Sequence, residues 1–83
     1  MTDVNLVLMD KGMRMAIPSG IIAVRLARAI AAGVGLNVLD YNWKIGVLPE
    51  PEDNILPADF LMDTLPPDTW ITLVISGEPE IWN

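Results

Sequence analysis

The side chains that most often perform acid–base and nucleophilic catalysis are scarce in this sequence. It contains no His and no Cys, which removes the imidazole base, the thiolate nucleophile and the usual zinc ligands. Its serines are Ser19 and Ser76, each beside a glycine, and only Lys11 and Lys44 could act as their base. Turns and helix caps explain serines in such positions. We therefore expect a protein that is not an enzyme and that carries no cofactor.

Carboxylates are the one chemical group in good supply. Asp59 and Asp63 are four residues apart, so on a helix they would share a face and could hold a hard cation or act as acid and base. The alternative is a solvated helix face. Residues 50–54 offer oxygens for calcium, but they lack the glycine and the acid spacing of an EF-hand loop. We assign no metal ligand from these patterns.

The charges are distributed unevenly along the chain. The net charge is −6, but residues 1–48 hold all five basic residues and only three acids, whereas residues 49–83 hold eight acids and no basic residue. The acidic half, residues 49–83, opposes binding to nucleic acid, because a protein binds phosphates through Lys and Arg. It favours either a partner protein with a basic surface or simply a solvated surface that keeps the protein dispersed.

The N-terminal residues predict a β-hairpin. Residues 4–9 and 13–17 are short and apolar, and Asp10-Lys11-Gly12 separates them. A three-residue turn that ends in glycine suits this spacing, because glycine adopts positive φ without steric cost.

An amphipathic helix should follow the hairpin. Ser19 could cap a helix that runs to about Gly33. At 100° per residue the apolar side chains gather on one side, and Arg25 and Arg28 lie on the other. The members of the apolar side are Ile22, Ala23, Leu26, Ala27 and Ile30.

The second half predicts two strands with a short helix between them. Apolar and polar residues alternate over residues 39–47, which is typical of a strand, with Trp43 on the apolar side. Residues 49–54 form an acidic, proline-containing loop, and residues 57–65 suit a short helix that turns Phe60, Leu61 and Leu65 to the core. Residues 70–75 are β-prone.

The element order is thus β-β-α-β-α(short)-β, an α+β fold. We expect a mostly antiparallel sheet of three or four strands with one amphipathic helix packed on a face. Residues 1–83 should form a single small domain, with 76–83 an acidic C-terminal tail. Hydrophobic residues make up 52% of the chain, so either the core is unusually apolar or part of that apolar surface lies in an interface.

The expected location is the cytoplasm, or the host cytoplasm if the protein is viral. No stretch of about 20 mostly apolar residues could span a membrane. Asp3 stands where a secretory signal would carry Lys or Arg. We therefore expect no contact with a membrane.

Three classes of protein fit these features. Small acidic inhibitors encoded by phages, including anti-CRISPR proteins, regulate a larger enzyme by occluding a basic surface. An assembly subunit would use its apolar surface in homo-oligomeric contacts. The stretch Tyr41-Asn42-Trp43-Lys44-Ile45 resembles a strand of the small, cofactor-free coupling proteins of multicomponent diiron monooxygenases, and that resemblance implies an effector subunit. Only this segment and the Trp near the end match, so no site residue is carried over.

The inhibitor class places the partner contact in the acidic half of the chain. Charge gives a fast on-rate, and an aromatic anchor beside the charges gives slow dissociation. Trp82 is the third tryptophan, and it lies in the acidic tail, either packed on its own domain or offered to a partner. The predicted contact residues are Glu50, Glu52, Asp53, Glu78, Glu80 and Trp82.

Overall fold

The computed structural model describes residues 2–75, which form a four-stranded sheet with one helix packed on a face. The elements are β1 (Thr2–Leu8), β2 (Lys11–Ile17), α1 (Ala23–Gly33), β3 (Trp43–Val47), a 3₁₀ turn (Met62–Thr64) and β4 (Trp70–Ile75). The strand order is β2-β1-β4-β3. β1 pairs antiparallel with β2, and β3 with β4, whereas β1 and β4 are parallel. The predicted α+β class is confirmed, and the sheet is mixed.

The hairpin is tighter than predicted. β1 and β2 are joined by two residues, Met9 and Asp10, with φ of 49° and 67°. Aspartate tolerates this left-handed conformation, so the hairpin needs no glycine in its turn. The predicted three-residue turn is wrong, because Gly12 lies within β2. A Cβ at Gly12 would lie 3.3 Å from Cζ3 of Trp70, so glycine there makes room for an indole ring.

Helix α1 buries the predicted side but begins later than predicted. Its buried residues are Ala23, Leu26, Ala27, Ile30 and Ala31. Ser19 does not cap it, since the N-cap residue is Ile22 and makes no side-chain cap. Two backbone bonds from outside the helix replace that cap. The N–H of Ala23 donates to the carbonyl of Phe60 at 2.9 Å, and that of Val24 to Ala58 at 3.0 Å.

Only the second half of the alternating segment is a strand. β3 begins at Trp43, which is buried as predicted. Before it, Oδ1 of Asn37 accepts the N–H groups of Leu39 and Asp40 at 3.0 and 3.1 Å, which folds the chain into a loop. Leu39 is consequently 88% exposed. The indole Nε1 of Trp43 donates to the Asn37 carbonyl at 2.7 Å, so the same residue also fixes the start of the strand.

The predicted short helix over residues 57–65 is reduced to the 3₁₀ turn Met62–Thr64. The backbone of Leu61 is extended and forms a β-bridge with Ile22, so no helix runs through this residue. The Leu61 side chain is exposed and does not face the core as predicted. Asp59 and Asp63 therefore do not share a helix face. Oδ2 of Asp63 instead accepts the N–H of Gly20 at 3.0 Å.

The core lies between α1 and the sheet and has no buried polar or charged residue among those described. Its largest fully buried side chains are Val4, Ile17, Ile45, Met62 and Ile71. Phe60 and Leu65 pack against its margin, as predicted. Within residues 2–75 no helix has the length and apolar character needed to cross a membrane.

Candidate functional site

The acidic loop over residues 49–54 is ordered by its own backbone. The N–H of Asp53 donates to the carbonyl of Glu50 at 3.1 Å, and that of Asn54 to Pro51 at 3.3 Å. The side-chain amide of Asn54 also donates to the Glu50 carbonyl at 2.9 Å. The carboxylates take no part in these bonds and remain exposed. Glu50, Glu52 and Asp53 together line a shallow, open depression.

Strand β3 carries this loop and is covered by it. The N–H of Leu56 donates to Ile45 at 2.8 Å, and the N–H of Val47 donates to Asn54 at 3.0 Å, so the outer edge of β3 is paired. Pro51 packs over Gly46, where a Cβ would lie 2.6 Å from Cβ of Pro51. Gly46 pairs with Thr72 of β4, on the face of the sheet that α1 leaves uncovered. The loop therefore borders that helix-free face.

Gly46→Ala tests whether this close approach holds the loop. The added Cβ would lie 2.7 Å from the carbonyl oxygen of Pro51, a backbone atom that moves only if the loop moves. We expect the free energy of unfolding to fall by about 1–3 kcal/mol, measured by urea denaturation. Gly33→Ala is the matched control, because its Cβ would meet nothing within 4 Å. That change should be neutral or stabilising, and equal stability of the two variants would contradict the contact.

Trp70 is the large aromatic residue of the helix-free face. Ile71 of β4 pairs with the buried Leu6 and turns to the core, so Trp70 and Thr72 turn to the opposite side. The indole ring reaches across β1 to Gly12 of β2 and is 47% exposed. The carbonyl of Trp70 accepts the N–H of Leu48 at 3.0 Å, which places the start of the acidic loop beside it.

Arg14 completes the helix-free face on the other side of Trp70. Its Nη1 lies 2.7 Å from Oδ1 of Asp68, and its Nε lies 3.7 Å from Oδ2 of Asp3. All three side chains are about half exposed or more, so these pairs add little stability. They do neutralise the guanidinium. The helix-free face thus presents one exposed aromatic residue, Trp70. The acidic loop borders it on one side, and on the other side lies Arg14, which is already paired with Asp3 and Asp68.

The structure brings together half of the predicted contact residues. Glu50, Glu52 and Asp53 lie on one loop, whereas Glu78, Glu80 and Trp82 lie outside the described residues. Trp70 was missed as an anchor in the sequence reading. Its exposure follows from the alternation over 70–75 once Ile71 is known to be buried, because the strand's period of two then turns Trp70 outward.

The metal hypotheses gain no geometric support. In the part of the chain that the structure describes, no group of three or more acidic side chains could hold a metal ion. Asp59 and Asp63 are no longer joined by a helix, and Asp63 is bonded to the backbone of Gly20.

A second exposed apolar group lies at the opposite end of the sheet. Trp43 pairs with Ile75 there, and the loop that leaves α1 passes beside them. The Tyr41 ring packs against Trp43 in a tilted arrangement, with an interplanar angle of 59° and ring centroids 5.9 Å apart. Tyr41 and Ile75 are exposed here, as are Val34, Leu36 and Leu39 in the chain between α1 and β3. This group competes with the Trp70 face as a contact surface.

The fold has a counterpart among solved structures. A computationally designed protein based on the template of human erythrocytic ubiquitin, solved by NMR, superposes with a TM-score of 0.62. The alignment covers 99% of this chain and 100% of that one at 22% sequence identity.

The chain shares the fold of that ubiquitin-based design. At this identity the likeness concerns the fold alone. No protein-family model matches the chain, and no curated protein matches its sequence. The surface of this chain is therefore the guide to its function.

Proposed function

We propose that the protein is a small, non-catalytic binding module that occludes a basic surface of a larger protein, in the manner of a viral or phage-type inhibitor. The observation that carries this proposal is the exposed Trp70 on a sheet face that is bordered by an ordered loop bearing Glu50, Glu52 and Asp53. Its place of action is the cytoplasm, and it does not bind nucleic acid directly.

The two parts of the surface act on different steps of binding. Three exposed carboxylates on a chain of net charge −6 attract a basic partner over a distance and raise the association rate. Because the loop's backbone is already bonded internally, little conformational entropy is lost when it docks. Trp70 then supplies the apolar area that is buried at the contact and slows dissociation. Glu78, Glu80 and Trp82, which lie outside the described residues, remain proposed contact residues.

The loop carboxylates are tested by neutralising them with Glu50→Gln, Glu52→Gln and Asp53→Asn together. Association with the partner should slow by about tenfold or more at low salt, and its salt dependence should flatten. Asp10→Asn, Asp40→Asn and Asp59→Asn together form the matched control, since they change the net charge equally at other places. That control should associate nearly as fast as the wild type. Surface plasmon resonance measures both rates.

The partner for this measurement is obtained by capture on the immobilised chain from a cell lysate. A protein that the wild type and the control both retain, and that the loop variant loses, is the partner the proposal requires. If the control loses it as well, only net charge matters and the loop is not a site. If the captured protein is the oxygenase of a multicomponent enzyme, the chain is a coupling protein and not an inhibitor.

An assembly role is the second candidate function. Strand β2 lies at the margin of the sheet and its residues from Lys11 to Ala16 are exposed, apart from a half-buried Met15. An open strand of this kind is the feature that a homo-oligomeric contact would use.

A further inference from the structure

The two edges of the sheet are not equivalent. The backbone of β1 alternates in direction: the N–H of Asn5 donates to Thr69 at 2.8 Å, and the Val7 carbonyl accepts from Oγ1 of Thr72 at 2.6 Å, both on the β4 side. Asn5 and Val7 stand opposite Arg14 and Gly12 of β2. In an antiparallel pair, residues opposite such positions turn their own N–H and C=O groups away from the shared ladder. The backbone groups of Gly12, Arg14 and Ala16 thus point to the free edge.

Nothing in the described chain occupies that edge. The corresponding edge of β3 is paired with residues 54–56 through Ile45 and Val47, but no backbone bond from another element reaches residues 11–16 apart from those of β1. Strand β2 has few of the devices that usually protect an edge, since its one mid-strand charge, Arg14, is already paired with Asp3 and Asp68. It contains no proline, no acid and no bulge, and a lysine stands only at its first position.

We infer that two copies of this chain pair through β2, antiparallel and about a two-fold axis at Arg14. In this register Arg14 stands opposite Arg14 of the second copy, and Gly12 stands opposite Ala16. Every outward N–H and C=O group of these residues then finds a partner, in an isologous contact.

The side chains on the helix side of the sheet favour the same register. Met13, which is 49% exposed, would stand opposite Met15 of the second copy, and Met15 opposite its Met13. Two equivalent contacts between flexible, apolar side chains would form, and both cover surface that is open in the single chain. On the other face, the end of the Trp70 ring lies over Gly12, so it would meet Ala16 of the second copy.

The charges at this edge are compatible with a second copy as its occupant. A chain of net charge −6 repels itself wherever acid meets acid. β2 brings no acid to the contact, and the guanidinium of Arg14 is drawn back over β1 by Asp3 and Asp68. In this register the two Arg14 residues stand opposite each other, but each guanidinium is paired with acids of its own chain, which reduces their mutual repulsion. An acidic peptide would find Lys11 as its sole unpaired cation on this strand.

The dimer deepens the assembly candidate, on whose open β2 strand it rests, and it would alter the strength of partner binding through the acidic loops. The acidic loops would lie at the two outer edges of an eight-stranded sheet, roughly 34 Å apart at about 4.8 Å per strand. A partner with two basic sites at that spacing would be held by both, with a gain from avidity.

The association is tested by sedimentation velocity over a roughly hundredfold range of protein concentration. The wild type should rise from 9.1 kDa toward twice that mass. Met13→Glu, which places a carboxylate opposite Met15 of the second copy, should remain at the monomer mass. Leu39→Glu is the control, because it makes a similar exchange at an exposed position outside β2, and it should behave as the wild type. A wild type that stays monomeric, or a Met13→Glu variant that dimerises normally, would overturn the inference.

The register is tested by crosslinking, because the chain has no cysteine of its own. Cα atoms of an opposed, hydrogen-bonded pair lie about 5.5 Å apart, which suits a disulfide, so Arg14→Cys should oxidise to a covalent dimer. Lys11→Cys should not, since its two copies would lie roughly 20 Å apart in this register. A dimer that crosslinks equally through both positions, or through neither, would contradict the two-fold axis at Arg14.

Discussion

Replacing Met62 with alanine should lower the free energy of unfolding by about 2–5 kcal/mol, a large part of the stability of a domain this small. The Met62 side chain is fully buried, and its N–H donates to the Ile21 carbonyl at 3.0 Å, so the residue closes the core beneath the start of α1. Truncation leaves a cavity that the surrounding side chains fill only in part. Urea denaturation at constant protein concentration measures the loss.

Leu61→Ala is the matched control for Met62→Ala. The two residues are adjacent, but Leu61 is 47% exposed and the same truncation there should cost about 1 kcal/mol or less. Equal losses for the two variants would mean that the chain over 61–65 does not pack as described, and the helix predicted for 57–65 would regain support.

Replacing Trp70 with alanine should speed dissociation of the partner by about thirtyfold, which corresponds to roughly 2 kcal/mol of binding free energy. The association rate should change little, because the substitution removes no charge. Trp70→Phe keeps an aromatic ring on the helix-free face and should recover most of the affinity. Surface plasmon resonance separates the two rates, and thermal unfolding checks that each variant is folded.

The opposite outcome for Trp70 is equally clear. If Trp70→Ala lowers the melting temperature yet leaves dissociation unchanged, the indole serves to cover Gly12 and is not an anchor. Trp82→Ala then becomes the decisive variant, because Trp82 is the other tryptophan in the acidic half of the sequence.

The local patterns in the sequence predicted those elements that bury one face along their whole length. Helix α1 follows from apolar residues spaced around Leu26, with Arg25 on the solvent side, and this pattern survives in the fold. The alternation of apolar and polar residues over 39–47 was misleading, because residues 39–42 show the same alternation as β3 but have no neighbouring strand to pair with. Asn37 offers those N–H groups a local acceptor, which competes with the sheet.

The candidate site depends on contacts between distant parts of the chain. That residues 49–54 are acidic and exposed is readable from composition, but their place beside Trp70 requires β4 to lie between β1 and β3. The close approach of Pro51 to Gly46 is also a tertiary contact. A glycine within a strand indicates that something packs closely there, but it does not indicate which residue. Met62 was missed because residues 57–65 satisfy a helical pattern until the pairing of Leu61 with Ile22 interrupts it.

Titrating the isotopically labelled chain with its captured partner, and following each backbone amide and indole N–H by NMR, tests the central claim most directly. The account predicts that the largest changes occur at Glu50, Glu52 and Asp53 and at the indole N–H of Trp70. Changes confined to the solvent side of α1 around Arg25 and Arg28, or to the apolar end around Tyr41, would contradict it and place the partner on another surface.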